Sequence, residues 1–563
     1  MIMKMNIKYK LSLLTVMFLS TVSCQKNFLT EDPKAIIAPD NLYVNKAGFE
    51  SGLYGLYNLV RSERKGISGS SNDMAITAAI VGVDNAYSLF PASGAPESVF
   101  NDFGVRLNAG DAYINRLWRY LYEVVNASNT IIGRAENPSI KWSTTEKNQI
   151  IAEARLIRAW AYRHLSFLWG DIPLSLKESD GGSIKTDWER TPVVQVHKAM
   201  EDDLLFAEAN LPEVVNIEGR VSKVVAQHYL AELYLTIGEN QKAKDKALAV
   251  VQNTNYKLIT ARYGVKRTTA GTPFTDMFID GNSNRKQGNT ELLWLFPNQY
   301  LSVGGDVNVM RRWWVNRYNS IKVNNKFPIT YSKDNGGRGL GRFAVTKFAL
   351  SLYQPNDNRG SSFAWRYFWI MNNASSLPTG NKASITCASP GYTGGALGDT
   401  VKLSIACDEP LPLSVTAQNW PNTRKWDWAP DDIANVQETS NYNDQIYLRL
   451  ADTYLLLAEA QLKLNDLNGA AATINILRAR ANATPITASQ VTLDFVLDER
   501  SRELVTEEHR RYTLLRTGKW LERTKLYNKY AGPFITNRDQ LLPIPQPVID
   551  ANLNKVMPQN DGY

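Results

Sequence analysis

The stretch Leu457-Ala458-Glu459-Ala460-Gln461-Leu462-Lys463-Leu464-Asn465-Asp466-Leu467-Asn468-Gly469-Ala470 decides the reading of the fold. Its apolar residues recur at three- and four-residue spacing, the period of a helix with one buried face. Asn465 stands where such a helix ends in a left-handed cap, and Ala470 is small enough to let an antiparallel second helix approach closely. An earlier segment keeps the same register: Leu230-Ala231-Glu232 is followed by Leu235, Gly238-Glu239 and Ala243. Two copies of one helix-turn-helix pattern predict tetratricopeptide-like repeats. A single pair cannot bury its apolar face alone, so others must stack on it, and segments near 117–169 and 196–235 are the natural partners. Helical periodicity runs through Gly52–Val60, Leu117–Ile132, Ile150–Trp169, Val196–Ala209 and Val224–Val250.

Between 253 and 440 the character changes. Gly, Asn, Pro and Ser become frequent, and short strands are expected at Glu291–Phe296 and Val401–Ala406. The expected fold is therefore mainly α: a scaffold of about four helix pairs carrying a large irregular, partly β insertion lobe. Its parts are read as an export signal (1–23), a lipidated tether (24–40), a helical N-terminal region (41–252), the Trp-rich lobe (253–440) and a C-terminal region with the last repeat pair (441–563). Long irregular insertions on a rigid scaffold usually carry function, which makes 253–440 the expected ligand-binding part.

Location is read from the N-terminus. Lys4, Lys8 and Lys10 precede an apolar run from Leu11 to Val22, the charged and apolar parts of an export signal. The run is too short to span a bilayer comfortably. It ends in Thr21-Val22-Ser23-Cys24, which resembles a bacterial lipoprotein signal and makes Cys24 the expected lipidation site. A triacylated end exceeds the two-chain minimum for stable anchoring. Cys387 and Cys407 remain, either as a disulfide bracing one loop or as two free thiols.

Composition narrows the function classes. Of the 563 residues 44% are hydrophobic and 21% charged, as in a globular protein. A formal charge of +8 without a Lys/Arg run gives no nucleic-acid arm. The 14 Trp and 26 Tyr point instead to a recognition surface, because both side chains are amphipathic.

Several separated motifs resemble one family. They are Glu153-Ala154-Arg155-Leu156-Ile157-Arg158-Ala159 with Gly170-Asp171-Ile172-Pro173-Leu174; Arg449-Leu450-Ala451-Asp452-Thr453-Tyr454 running into Leu457-Ala458-Glu459-Ala460; and Leu477-Arg478-Ala479-Arg480-Ala481. Glu499-Arg500, Arg502-Glu503-Leu504, Glu507 and His509-Arg510 follow, then Leu542-Pro543-Ile544-Pro545, Ile549-Asp550, Asn552 and Gln559-Asn560-Asp561-Gly562-Tyr563. In order and spacing they look like the SusD/RagB family. Glu508 stands where that family commonly has Gly, and Thr513 where it commonly has Asp. The resemblance implies an outer-membrane, lipid-anchored cell-surface protein that captures oligosaccharide or polysaccharide. It also implies docking on a TonB-dependent, SusC-like transporter as a lid over the barrel, for nutrient uptake. Relatives suggest an alternative in which the same fold binds peptides; a third reading is a tetratricopeptide adaptor for protein partners.

No enzyme is expected. Arg478, Arg500, Arg502, Glu503, Glu507 and His509 could be drawn as an acid-base cluster, but on helices at these spacings they read as buried ion pairs that lock helices together. The four His residues (164, 197, 228 and 509) are dispersed without a His-Glu-x-x-His pattern, so a zinc hydrolase is unsupported; no metal-ligating residue is singled out, no cofactor is expected, and a structural metal ion stays open. No Gly-x-Ser-x-Gly elbow occurs. Asp202-Asp203 and Asp431-Asp432 read as solvated charge rather than the spaced carboxylates of a glycoside hydrolase.

Sugar binding needs aromatic faces beside hydrogen-bonding side chains. Trp313, Trp314 and Tyr318 lie beside Arg311, Arg312, Asn316 and Arg317 and form the leading candidate platform. Tyr87 with Phe90 is next, beside Asp84 and Asn85. A further group is Trp365, Tyr367, Phe368 and Trp369, although the alternation from Phe363 to Trp369 also reads as a half-buried strand. Trp420, Trp426 and Trp428 form the last, with Lys425-Trp426 read as structural.

Overall fold

The computed structural model describes residues 39–67, 72–89, 96–179, 185–299, 302, 305, 307–382, 391–403, 409–410, 413, 418–426 and 442–563. Cys24, Cys387 and Cys407, with the expected lipid attachment and the cysteine pairing, lie outside these residues. So do Phe90, Trp428 and Asp431-Asp432.

Eight helices build the scaffold: α1 (Lys46–Lys65), α2 (Ala112–Arg134), α3 (Thr144–Trp169), α4 (Val193–Asn210), α5 (Lys223–Thr236), α6 (Asn240–Val251), α7 (Leu450–Lys463) and α8 (Leu467–Arg480). Each packs on the next, and α6 meets α7 across the long insertion, so four helix pairs stack in series. Local chemistry sets their starts. The Asp111 carboxylate accepts the Ile114 N–H at 3.0 Å to open α2, and Ser143 with Glu146 forms a reciprocal capping box for α3.

The repeat register seen in the sequence is a shared geometry. Gly238 and Asn465 both have positive φ, 83° and 60°. Behind them the Glu239 N–H reaches the Tyr234 carbonyl and the Asp466 N–H reaches the Gln461 carbonyl, both at 2.8 Å. These bonds close the two helices in the same way. Ala231, Ala243, Ala458 and Ala470 are all fully buried, so small side chains do set the approach of each pair.

Short antiparallel strands lie within the lobe and join it to the flanking regions. β1 (Ala86–Ser88), β2 (Leu292–Phe296), β3 (Phe343–Val345), β4 (Trp365–Arg366), β5 (Phe368–Ile370), β6 (Gly391–Tyr392), β7 (Thr400–Lys402), β8 (Asn422–Thr423) and β9 (Gln445–Arg449) pair as β1–β3, β2–β9, β4–β8 and β5–β7–β6. The strands expected near 291–296 and 401–406 are β2 and β7, the latter ending at Lys402. β9 leads directly into α7, so the β2–β9 ladder fastens the lobe to the last repeat pair.

Two further helices, α9 (Leu493–Leu504) and α10 (Arg510–Arg516), join the ends of the chain. Arg510 and Arg523 both bond the buried Asp84 carboxylate, at 2.7 and 2.8 Å. Arg64 of α1 donates to the carbonyls of Ile446 and Glu507, and Trp520 Nε1 donates to the Gly82 carbonyl at 3.2 Å.

Candidate functional site

The five expected platform residues are in the core. Trp313, Trp314, Tyr318, Tyr87 and Trp365 are each no more than 2% exposed. Trp313 lies between the Phe343 ring (centroids 4.7 Å apart) and the Arg342 guanidinium (4.5 Å from its centroid). Trp314 meets the same Phe343 ring at 5.2 Å. Tyr318 stacks on Trp369 at 4.3 Å and its hydroxyl donates to the Gly337 carbonyl at 2.7 Å. Tyr87, within β1, stacks on Tyr530 at 4.1 Å. The expectation that these rings face a ligand is therefore corrected: their surfaces are occupied by packing. The physical reason is the lobe's irregularity. Without long helices to fill its interior, it fills volume with Trp and Tyr, around a small core of Val315, Tyr318, Ile321, Trp369, Met371 and Val401. Trp420 and Trp426 are buried too; Lys425 donates to the Glu503 and Val505 carbonyls and Trp426 Nε1 to Thr506 Oγ1, which makes that pair structural as expected. In the strand-like group only Phe363 and Phe368 keep substantial exposure, 37% each.

The imagined acid-base cluster is a buried ionic lattice. Arg449 bridges Glu291 (2.9 Å), Glu503 (2.5 Å) and Glu507 (2.7 Å). Arg359, Arg478 and Arg502 converge on Glu499 at 2.8, 2.8 and 2.7 Å, and Arg500 holds Asp452 and Glu508. Burial pushes the Glu499, Glu503 and Glu507 carboxyls up, but the guanidinium groups outweigh it and hold all three below their ordinary value. Permanently ionised, fully paired carboxylates make poor general acids; they tie α9 to β9 and α8.

Sequence reasoning missed one juxtaposition inside this core. His164 and His509, 345 residues apart, meet Glu63 with their ligand atoms within 4.8 Å of one another. The His509 Nε2 lies 2.6 Å from Glu63 Oε1, and its Nδ1 lies 3.0 Å from an Arg163 Nη. Arginine can only donate, so Nδ1 is the acceptor and Nε2 carries the proton toward Glu63. Burial lowers both imidazoles. Burial would raise Glu63, but His509, His164 and Arg64 hold its carboxyl at about 2. The group is a hydrogen-bond network in which Arg163 takes the Nδ1 lone pair of His509 and Glu63 takes its Nε2 proton.

An open cleft with aromatic and amide lining lies on the scaffold rather than in the lobe. α2 presents Asn115, Trp118, Arg119, Tyr122 and Asn126 along one face at helical spacing. The opposite walls come from Pro173, Ser175, Ser179, Lys185 and Trp188 and from Pro547, Val548, Ala551, Asn552 and Met557 near the C-terminus. The enclosed space is about 520 Å³, within the range of small-ligand sites. Its aromatic rings are held from behind. Tyr122 donates its hydroxyl to the Pro173 carbonyl at 2.7 Å, and Trp118 packs on Trp169 at 5.1 Å. Asn552 clamps the Trp188 backbone, accepting its N–H at 2.7 Å and donating to its carbonyl at 2.9 Å.

The frame behind the cleft joins distant motifs. The Asp171 carboxylate accepts the Val193 N–H at 2.7 Å and so starts α4, while Arg190 donates to the Asp171 carbonyl at 2.8 Å. Trp169 Nε1 donates to the Pro543 carbonyl at 2.9 Å, and Asn560 donates to the carbonyls of Trp169 and Leu542 at 3.1 and 2.7 Å. The turn at 170–173 and the closing segment from 542 to 563 are thus one structural unit.

Residues 274–563, more than half of the chain, match the family described as the SusD family. The chain belongs to the SusD family. Residues 91–235 also match a family described as starch-binding and associating with the outer membrane. SusD-like protein P2 of Formosa agariphila is 26% identical over 99% of this chain and 100% of its own, and SusD-like protein P25 of the same organism 24% over 96% of each. A solved laminarin-binding SusD-like protein superposes with a TM-score of 0.67 at 20% identity, covering 92% of this chain and 100% of that one, a likeness that shows the fold. Two of the motifs quoted above, the turn after α3 and the closing segment, meet at the cleft. The signal that could have found it was the stripe Asn115, Trp118, Arg119, Tyr122 and Asn126, which mixes aromatics with amides on one helix face where a purely packed helix would be apolar. Among the described residues no helix is long and apolar enough to cross a membrane.

Proposed function

We propose that this SusD-family protein is a cell-surface glycan-binding lipoprotein, anchored at Cys24 in the outer membrane, that captures oligosaccharide and delivers it to a TonB-dependent transporter without acting on it chemically. Two sources support the reading: the match of residues 91–235 to a family described as starch-binding, and a solved SusD-like protein described as laminarin-binding. The observation that carries the site is the scaffold cleft, where the rings of Tyr122 and Trp188 stand among Asn115, Asn126, Ser175 and Ser179. A sugar ring offers a C–H face to an aromatic plane and hydroxyls to amides and hydroxyls, and this lining meets both needs. Prefixed rings lower the ordering cost of binding, since Asn552 and the Pro173 carbonyl already hold them.

Affinity electrophoresis of the purified chain against a panel of polysaccharides tests this. Retardation by at least one glycan is expected, with Trp188→Ala weakening it by about tenfold, roughly 1.4 kcal/mol. Retardation that persists unchanged in both Trp188→Ala and Tyr122→Ala would remove the cleft as the site; no retardation by any glycan would remove the function.

A further inference from the structure

The charge of the cleft says more about its occupant than its shape does. Among the described residues two cations, Arg119 on α2 and Lys185 on the facing loop, line it, and no Asp or Glu does. Both are exposed. Two other arginines of the same helix are tied to carboxylates: Arg116, one turn earlier on α2, pairs with Asp73 at 2.8 Å, and Arg134, at its end, chelates Glu178 at 2.9 Å. Neither Arg119 nor Lys185 has a carboxylate within ion-pair distance among the described residues. Lys185 instead holds its ammonium 4.5 Å from the centroid of the Trp188 ring, so that a positive charge is parked on one of the cleft's own aromatic platforms. A neutral glycan would gain little from such a pair. An anionic one would gain a fork of N–H donors from Arg119 and a point charge from Lys185, on opposite walls.

We infer that the glycan bound here carries acidic groups, carboxylate as in a uronic acid or sulfate as in a sulfated sugar, with Arg119 and Lys185 as the recognising cations. This rests on the glycan-binding reading above and sharpens it to a substrate class. Stacking on Trp188 and Tyr122 supplies the sugar-general part of recognition, and the two cations supply the selection between charged and neutral chains. Charged contacts in an open cleft are screened by salt, whereas stacking is not, so the two contributions separate by ionic strength.

The test compares laminarin as a neutral probe, polygalacturonate as a carboxylated one and fucoidan as a sulfated one. Binding to the full chain is measured by affinity electrophoresis and calorimetry at about 0.05 M and about 0.5 M NaCl. Either anionic probe is expected to bind at least about tenfold more tightly than laminarin at low salt, and which of the two does so separates carboxylate from sulfate recognition. The double variant Arg119→Gln/Lys185→Gln should lose that preference while its circular dichroism and melting temperature stay those of the parent. Laminarin bound as tightly as both anionic probes overturns the inference and leaves the glycan reading standing. Anionic binding undiminished in the double variant also overturns it, since attraction to the net positive surface then accounts for the preference. Failure to bind any of these probes or any member of the wider panel fails the glycan reading itself, and the inference with it.

Discussion

Glu508 and Thr513, expected from the resemblance to be Gly and Asp, bond to each other in the structure. Glu508 Oε2 accepts from Arg500 at 2.9 Å and from Thr513 Oγ1 at 3.2 Å, and its Oε1 accepts from Arg510 at 3.1 Å. The carboxylate that an Asp at 513 would bring is supplied from 508, and Thr513 serves as donor to it. Removing it leaves Arg500 with Asp452 and Arg510 with Asp84, so the loss is partial. Glu508→Gly should lower the unfolding free energy by about 2 kcal/mol in urea, below the full cost of stranding a buried ion. Glu508→Gly/Thr513→Asp should regain at least half of that; a double variant no better than the single would refute the exchange. At this scale the sequence was legible where charge had to be matched and misleading where volume had to be filled. Arg478, Arg500, Arg502, Glu503 and Glu507 could be read as ion pairs because helical spacing and sign complementarity are both printed in the chain. Trp313 and Trp314 could not, because nothing in a run of two Trp among Arg tells whether the rings meet Phe343 or water.

At the scale of elements, the helices were plain from their period, and so was the cap that the two repeat units share. Gly238 and Asn465 occupy the same left-handed position, yet their tolerance differs. A Cβ at 238 would meet nothing within 4 Å, so Gly238→Ala has only backbone strain to bear and should cost about 1 kcal/mol. Asn465→Gly should be neutral or slightly stabilising. Thermal melts of the two variants check this, and a melting temperature for Gly238→Ala at or above the parent's would contradict the shared-cap account. The single apolar-looking run Val224–Val250 hid a break into α5 and α6 that Gly238 alone announced. The cleft was harder to see. Its walls come from α2, the loop before α4 and the C-terminal segment, and no local pattern reports that three such pieces will face each other.

For the molecule as a whole, the buried titratable network sets a pH dependence. Burial holds the imidazoles of His164, His228 and His509 below their ordinary value. As pH falls through about 6.5 the unfolded chain takes up protons that the folded one refuses, so stability falls by up to about 1.4 kcal/mol per pH unit for each histidine. Glu63 adds the same sign at lower pH: with its folded carboxyl at about 2 against an ordinary 4.5, its stabilisation is present above 4.5 and is lost as pH drops toward 2. Calorimetry should show the melting temperature falling from pH 7.5 to 5, with a shallower fall in His164→Gln. A pH-independent melting temperature across that range would sink the account.

Asp84 receives Arg510 and Arg523, and Arg64 reaches the carbonyl of Glu507, each across more than 400 residues of chain. A ribosome delivers α1 and Asp84 long before any of those partners exists. Until residues beyond 507 are made, the first helix has an uncompensated Glu63 and Arg64 on the side meant for the interior, and the long loop that would bury them is unclosed. The N-terminal third therefore cannot complete its buried pairing until the last helices have been made. Limited proteolysis of chains truncated before residue 507 is expected to cut an N-terminal third that the full chain protects.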